Sequence, residues 1–204
     1  MIKTIAAGFA ALALAAGAHA DTVVFDFHAD LGDQPTTTWF ATGPFASPSS
    51  SGTLVFTLDG FNTLDGQNFY EDDFSLVVNG ATILTGTFNL GGGGNNVLFT
   101  SPAGTSVSGY QTDPNSITGT GGALDFIVPV SLLGSNNVIE WHYAALSTES
   151  GHAGFQDIGD EGWSISDITV TATTAVPEPG SIALMLAGLG IVGGLARRRA
   201  AHLA

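Results

Sequence analysis

The chain contains no cysteine and almost no basic side chains: its 204 residues carry four lysines and arginines against 18 aspartates and glutamates. Without cysteine there is no disulfide to staple the fold and no thiolate to act as nucleophile or metal ligand. The four basic residues are Lys3, Arg197, Arg198 and Arg199, all in the end segments, whereas every acidic residue except Glu178 lies between Asp21 and Ala175. No lysine or arginine can therefore pair with a carboxylate within that stretch. Nucleic acid is excluded as a partner, because phosphate binding needs those same cations. Unbalanced like charges keep a domain soluble and strain its compact state. Two readings of the acidity stay open: a solvated surface, or ligands for divalent cations. Catalytic and zinc motifs are missing too. There is no G-x-S-x-G elbow, and His28, His142 and His152 are scattered without H-x-H or H-E-x-x-H spacing.

Both ends are organised. Lys3 precedes an apolar run from Ile5 to Ala16, and Ala18-His19-Ala20 provides a small-x-small site. This is the layout of a secretory signal peptide over residues 1–20, with Ala18 and Ala20 read by signal peptidase and a mature chain beginning at Asp21. At the other end, Val176-Pro177-Glu178-Pro179-Gly180 precedes an apolar segment, 181–196, and the Arg197-Arg198-Arg199 cluster. The prolines mark a boundary, since neither can continue a helix or a central strand. The apolar segment is expected to be a transmembrane helix. Its 16 residues give about 24 Å of helix, short of the roughly 30 Å hydrocarbon core, so tilt, flanking residues or local thinning would absorb the difference. The arginines would stay on the cytoplasmic side and leave the acidic domain outside, as the signal peptide requires. Within the segment, Gly188-Leu189-Gly190-Ile191-Val192-Gly193 fits a dinucleotide-binding pattern, but it lacks the strand-turn-helix context which that function needs.

The Pro177-Glu178-Pro179 motif, the apolar segment and the arginine cluster, in that order over about the last thirty residues, resemble the PEP-CTERM sorting signal of Gram-negative bacteria. The resemblance implies processing by an exosortase near the Pro-Glu-Pro motif. It also implies delivery to the cell surface or extracellular matrix, in bacteria that make exopolysaccharide.

Between the ends the hydrophobic period is two. Val23, Phe25 and Phe27 alternate with Val24, Asp26 and His28, and the same scheme recurs through Leu54, Phe56, Leu58 and Phe74, Leu76, Val78. Asn79-Gly80 between two apolar runs predicts a two-residue hairpin, since both turn positions need positive φ. Further strands are expected at 37–41, 97–100, 124–130, 138–144 and 164–172. The face switch from Trp163 and Ile165 to Ile168 and Val170 predicts a bulge near Ser166-Asp167. About nine short strands joined by Gly, Asn, Ser and Pro loops predict an all-β, two-sheet β-sandwich over 21–175, of jelly-roll type. The segment from Gly159 to Val170 also resembles the acidic-acidic-x-Trp-x-Ile closing run of many exported jelly-roll domains. Ser164 and Ile168 stand where that run usually has Gly and Asn.

Glu71-Asp72-Asp73 precedes one strand, and Asp157, Asp160 and Glu161 precede the last. Oxygen ligands from two loops suit calcium, which takes six to eight of them, so Asp72, Asp73, Asp157, Asp160 and Glu161 are candidate ligands; solvated loop carboxylates are the alternative. Glu140 and His142 are expected on the outer face of their strand, with Ile139, Trp141 and Tyr143 in the core. The Ser47–Ser51 and Gly91–Gly94 stretches read as loop composition. The function expected from these observations is that of a non-catalytic cell-surface or matrix protein in the biofilm of its cell. Its partners would be signal peptidase, exosortase, the membrane and exopolysaccharide. An exported polysaccharide hydrolase and an ice-binding protein, the latter suggested by Thr169-x-Thr171-x-Thr173, are the alternatives.

Overall fold

The computed structural model describes residues 18–35, 38–111, 120–144, 161–176 and 179–201. The chain divides into two compact units. One is Asp21–Thr174, and the other comprises Met1–Ala20 with Ala175–Ala204.

The first unit is built from strands. They are β1 (Ala18–Phe27), β2 (Phe40–Ala41), β3 (Ser51–Asn62), β4 (Leu64–Asp65), β5 (Asp73–Val78), β6 (Ala81–Thr87), β7 (Gly91–Gly93), β8 (Val97–Thr100), β9 (Ser106–Gln111), β10 (Thr120–Ser131), β11 (Ile139–Ala144) and β12 (Glu161–Val176). One five-stranded sheet has the order β1-β12-β3-β10-β9, the other β2-β11-β5-β6-β8, and β4 and β7 form a small parallel pair. The backbone crosses from one large sheet to the other between β1 and β2, β2 and β3, β3 and β5, β8 and β9, β10 and β11, and β11 and β12. This alternation builds an all-β sandwich of two large sheets, as expected from the sequence.

Period-two patterning does what the sequence predicts. Leu54, Phe56 and Leu58 of β3 and Phe126 and Val128 of β10 point inward from one sheet, and Phe74, Leu76, Ile139 and Trp141 do so from the other; all are buried. Phe56 stacks on Phe126 at 4.7 Å within its sheet and meets Trp141 edge-on at 5.7 Å across the sandwich. Each such side chain contributes about 1.5–3 kcal/mol of burial, so the sandwich holds together without disulfides.

Local chemistry fixes the register. Asn79 and Gly80 have φ of 52° and 79° and join β5 to β6, the predicted primed turn. The predicted bulge is present: β12 shifts register against β3 between Ser166 and Thr169, and Asp167 sits there at φ 49°. Strands β3, β10 and β12 run several residues beyond their sequence-expected ends, and β2 is shorter than expected. The Gly91–Gly94 stretch is not plain loop. Its first three residues form β7, which runs parallel to β4.

The second unit contains helix α1 (Pro179–Ala201), with Pro179 opening it, where a missing N–H costs nothing. The helix takes in the arginine cluster as well as the apolar segment. Among the described residues no helix is long and apolar enough to cross a membrane, so the transmembrane expectation for 181–196 is not met by the helix itself. The apolar stretch is short, and Gly188, Gly190, Gly193 and Gly194 dilute its hydropathy.

Candidate functional site

Three carboxylates, two from one loop and a third distant in sequence, meet in the interior of the first unit. Asp65 ends β4, Asp72 precedes β5, and Glu161 opens β12; one oxygen from each lies within 4.8 Å of the others. All three are buried, at 5 %, 0 % and 0 % exposure.

The loop between Asp65 and Asp72 closes on itself. The Asp65 amide donates to Asp72 Oδ2 at 2.8 Å, and the Asp72 amide donates to the Asp65 carbonyl at 3.2 Å. Thr87 adds a hydroxyl donor to that carbonyl at 3.1 Å, and the Asn68 side-chain amide donates to Asp65 Oδ1. Behind Asp65, β7 packs so tightly that only glycine fits at position 92. A Cβ there would lie 2.0 Å from the Thr63 carbonyl oxygen and 2.5 Å from the Asp65 carboxyl. The glycine stretch thus positions Asp65.

Burial, then the charge of Glu161, pushes the Asp72 carboxyl up to about 9; its hydrogen bond from the Asp65 amide opposes the shift, and the charges of Asp65 and Asp73 add smaller contributions to it. The second Asp72 oxygen, Oδ1, is buried with no hydrogen-bond partner. Beside the cluster stands Tyr143 of β11. Its ring packs on Phe74 at 5.4 Å and on Trp163 at 5.1 Å, next to the segments that carry Asp72 and Glu161. Its hydroxyl is buried and unpartnered, and burial together with the charges of Asp72, Asp73 and Glu161 raises its pKa.

Of the five calcium ligands expected from sequence, the structure brings Asp72 and Glu161 together. Asp73 lies beside them on the half-buried outer side of β5, outside the three-oxygen group. Asp157 and Asp160 lie outside the described residues. The third member, Asp65, was not among the five, because it meets Asp72 through its own backbone amide and carbonyl, which leave no side-chain pattern. Leu64-Asp65-Gly66 gives no motif, and the glycine stretch that supports it has no side-chain pattern.

A second feature lies on the outer face of the sheet containing β11. Glu140 and His142 face outward as expected and share a hydrogen bond at 3.0 Å. Registers place His142 opposite Ser75, Ser75 opposite Thr85, and Thr85 opposite Thr100. On the other side of His142 sits Trp39, 55 % exposed, its ring parallel to the imidazole at 5.6 Å. An aromatic plate thus continues into a row of hydroxyls across the strands.

The outer face of the other sheet is acidic and internally paired. Thr169 donates to Asp26 and Thr173 to Asp21, while Thr171 reaches the Thr53 carbonyl, so the threonine row considered for ice binding has its hydroxyls engaged. For the ends, Ala18 and Ala20 fall within the span of β1, with Ala20 exposed, while residues 1–17 lie outside the described residues. Pro177 and Glu178 also lie outside them. Val176 ends β12, Pro179 and Gly180 open α1, and Arg197, Arg198 and Arg199 lie in its last turns.

Residues 175–200 match the family described as the PEP-CTERM protein-sorting motif. No curated protein and no solved structure matches the chain at a significant level.

Proposed function

We propose that this chain, which carries a PEP-CTERM protein-sorting motif, is a non-catalytic surface protein that an exosortase processes and whose β-sandwich associates with extracellular polysaccharide. The observation that carries the reading is the sorting motif at 175–200, following in sequence a β-sandwich with no lysine or arginine. In this reading residues 1–20 direct export and are removed after Ala20. The tail 176–204 then holds the chain at the membrane of a Gram-negative cell until processing near Pro177–Pro179 passes the sandwich to the surface or matrix. Leu184, Met185, Leu186, Leu189, Ile191, Val192 and Leu195 of α1 are more than half exposed, which supports an apolar environment for that helix. A locally thin bilayer would compensate for the shortness of its apolar stretch.

The Trp39-to-Thr100 row supports the polysaccharide part. Sugar rings present C–H faces that stack on indole and hydroxyls that pair with serine and threonine. Without lysine or arginine nearby, the row suits an uncharged stretch of glycan. The test is affinity electrophoresis of the full chain in gels containing the producer's exopolysaccharide. Retarded migration that Trp39→Ala weakens at least several-fold is expected. Equal migration with and without polysaccharide would refute the association.

A further inference from the structure

We propose that Asp65, Asp72 and Glu161 bind one calcium ion, with the Tyr143 hydroxyl beside it, and that this ion clasps the loop 65–72 to the start of β12. The inference is independent of the polysaccharide reading.

The spacing suits a single ion. Oxygens bound at about 2.3–2.6 Å on opposite sides of calcium lie about 5 Å apart, and these three lie within 4.8 Å of one another. All are buried, so they are not a solvated acidic surface. Two further observations point to a ligand. Asp72 Oδ1 is buried with no hydrogen-bond partner, and so is the hydroxyl of Tyr143, a residue 5 % exposed and wedged between Phe74 and Trp163. Buried oxygens of this kind are costly unless something pairs with them.

The counter-charge must come from outside the chain, since no lysine or arginine occurs between Asp21 and Ala175. The donor set is all oxygen, with no cysteine anywhere in the chain and no histidine in the group, which selects a hard cation over zinc or copper. Magnesium needs near-ideal octahedral geometry and keeps several waters, whereas calcium accepts an irregular carboxylate site built from separate segments. The place of the site gives it a job. Asp72 leads into β5 of one sheet, Glu161 opens β12 of the other, and Asp65 belongs to β4, which lies between β3 and β5 in sequence and pairs with β7. One ion there cross-links three segments in a chain that has no disulfide.

The test uses the full chain purified in detergent, with calcium alone as ligand. One site by calorimetry is expected, together with a rise in unfolding midpoint of about 5–10 °C over chelated protein at saturating calcium. Asp72→Asn and Glu161→Gln should abolish that rise, while Asp125→Asn, on the exposed outer face of β10, should retain it. Terbium provides a readout that needs no variant: wild-type protein excited at its aromatic bands should give sensitised terbium emission that calcium displaces. Absence of both the calcium shift and the sensitised emission would overturn the proposal. So would an undiminished calcium shift in folded Asp72→Asn and Glu161→Gln proteins.

Discussion

Carboxylates without lysine or arginine take hydroxyls as partners in this protein. Ser164 donates to Asp30 at 2.8 Å, Ser166 to Asp59 at 2.7 Å, Thr169 to Asp26 at 2.8 Å and Thr57 to Asp125 at 2.8 Å, all between neighbouring segments. A hydroxyl satisfies an oxygen without cancelling its charge. The Asp59 carboxyl accordingly titrates above its ordinary range, chiefly from burial and further from Asp30, Asp167 and Asp125, although its bond to Ser166 opposes the shift. His28 is the one charged partner of this face among the described residues, 3.0 Å from Asp26 and 3.2 Å from Asp167. The hydrogen bond to Asp167, then the charge of Asp26, raises its pKa above 6.5. The sign follows: the fold favours the imidazolium. Its contribution is complete below the unfolded pKa and is lost as pH rises through the higher folded one. An NMR titration should place the His28 midpoint above 6.5 and move it back toward that value in Asp167→Asn. An unchanged midpoint in the variant would show that Asp167 does not hold the ring.

Elements with a side-chain rhythm were legible in the sequence, and elements made by backbone contact were not. Strands β3 and β5 announce themselves by alternating burial, the β5–β6 turn by Asn79-Gly80, and the β12 bulge by the switch of Ile168 and Val170 to the other parity. Strand β9 was missed because serine and glycine separate its few apolar residues. The β4–β7 pair was missed because β7 consists of glycines whose role is close approach, a three-dimensional property. The metal candidates show the same division. Asp72 and Glu161 were legible as members of two acidic segments, but Asp65 joins them through backbone bonds to Asp72 and through glycine packed behind its carboxyl. Gly92→Ala tests the role of β7. The added methyl would press on the Thr63 carbonyl and the Asp65 carboxyl, so unfolding by denaturant should show a loss of about 1–3 kcal/mol. The same change should weaken calcium binding, and wild-type values for both would mean that β7 does not position Asp65.

At the scale of the whole molecule, the formal charge of −14 at pH 7 is the net of 17 acidic residues in Asp21–Ala175 with no lysine or arginine among them, and of ends that carry Lys3, the three arginines and Glu178. A core drawn from both sheets, a proposed calcium clasp and hydroxyl-paired carboxylates let that acidic unit fold without disulfides. The tail carries a different instruction, written in the Pro-Glu-Pro motif, an apolar helix and three arginines. Under the proposed function the two ends serve delivery and the acidic unit is what reaches the cell surface. The most direct test is mass spectrometry of the protein recovered from the surface and medium of the producing cell, compared with an exosortase-deficient strain. The recovered form should begin at Asp21 and end near Pro177–Pro179, and the deficient strain should retain the chain through Ala204 in its membrane fraction. A surface form that still carries residues 181–204, or identical products from both strains, would contradict the account.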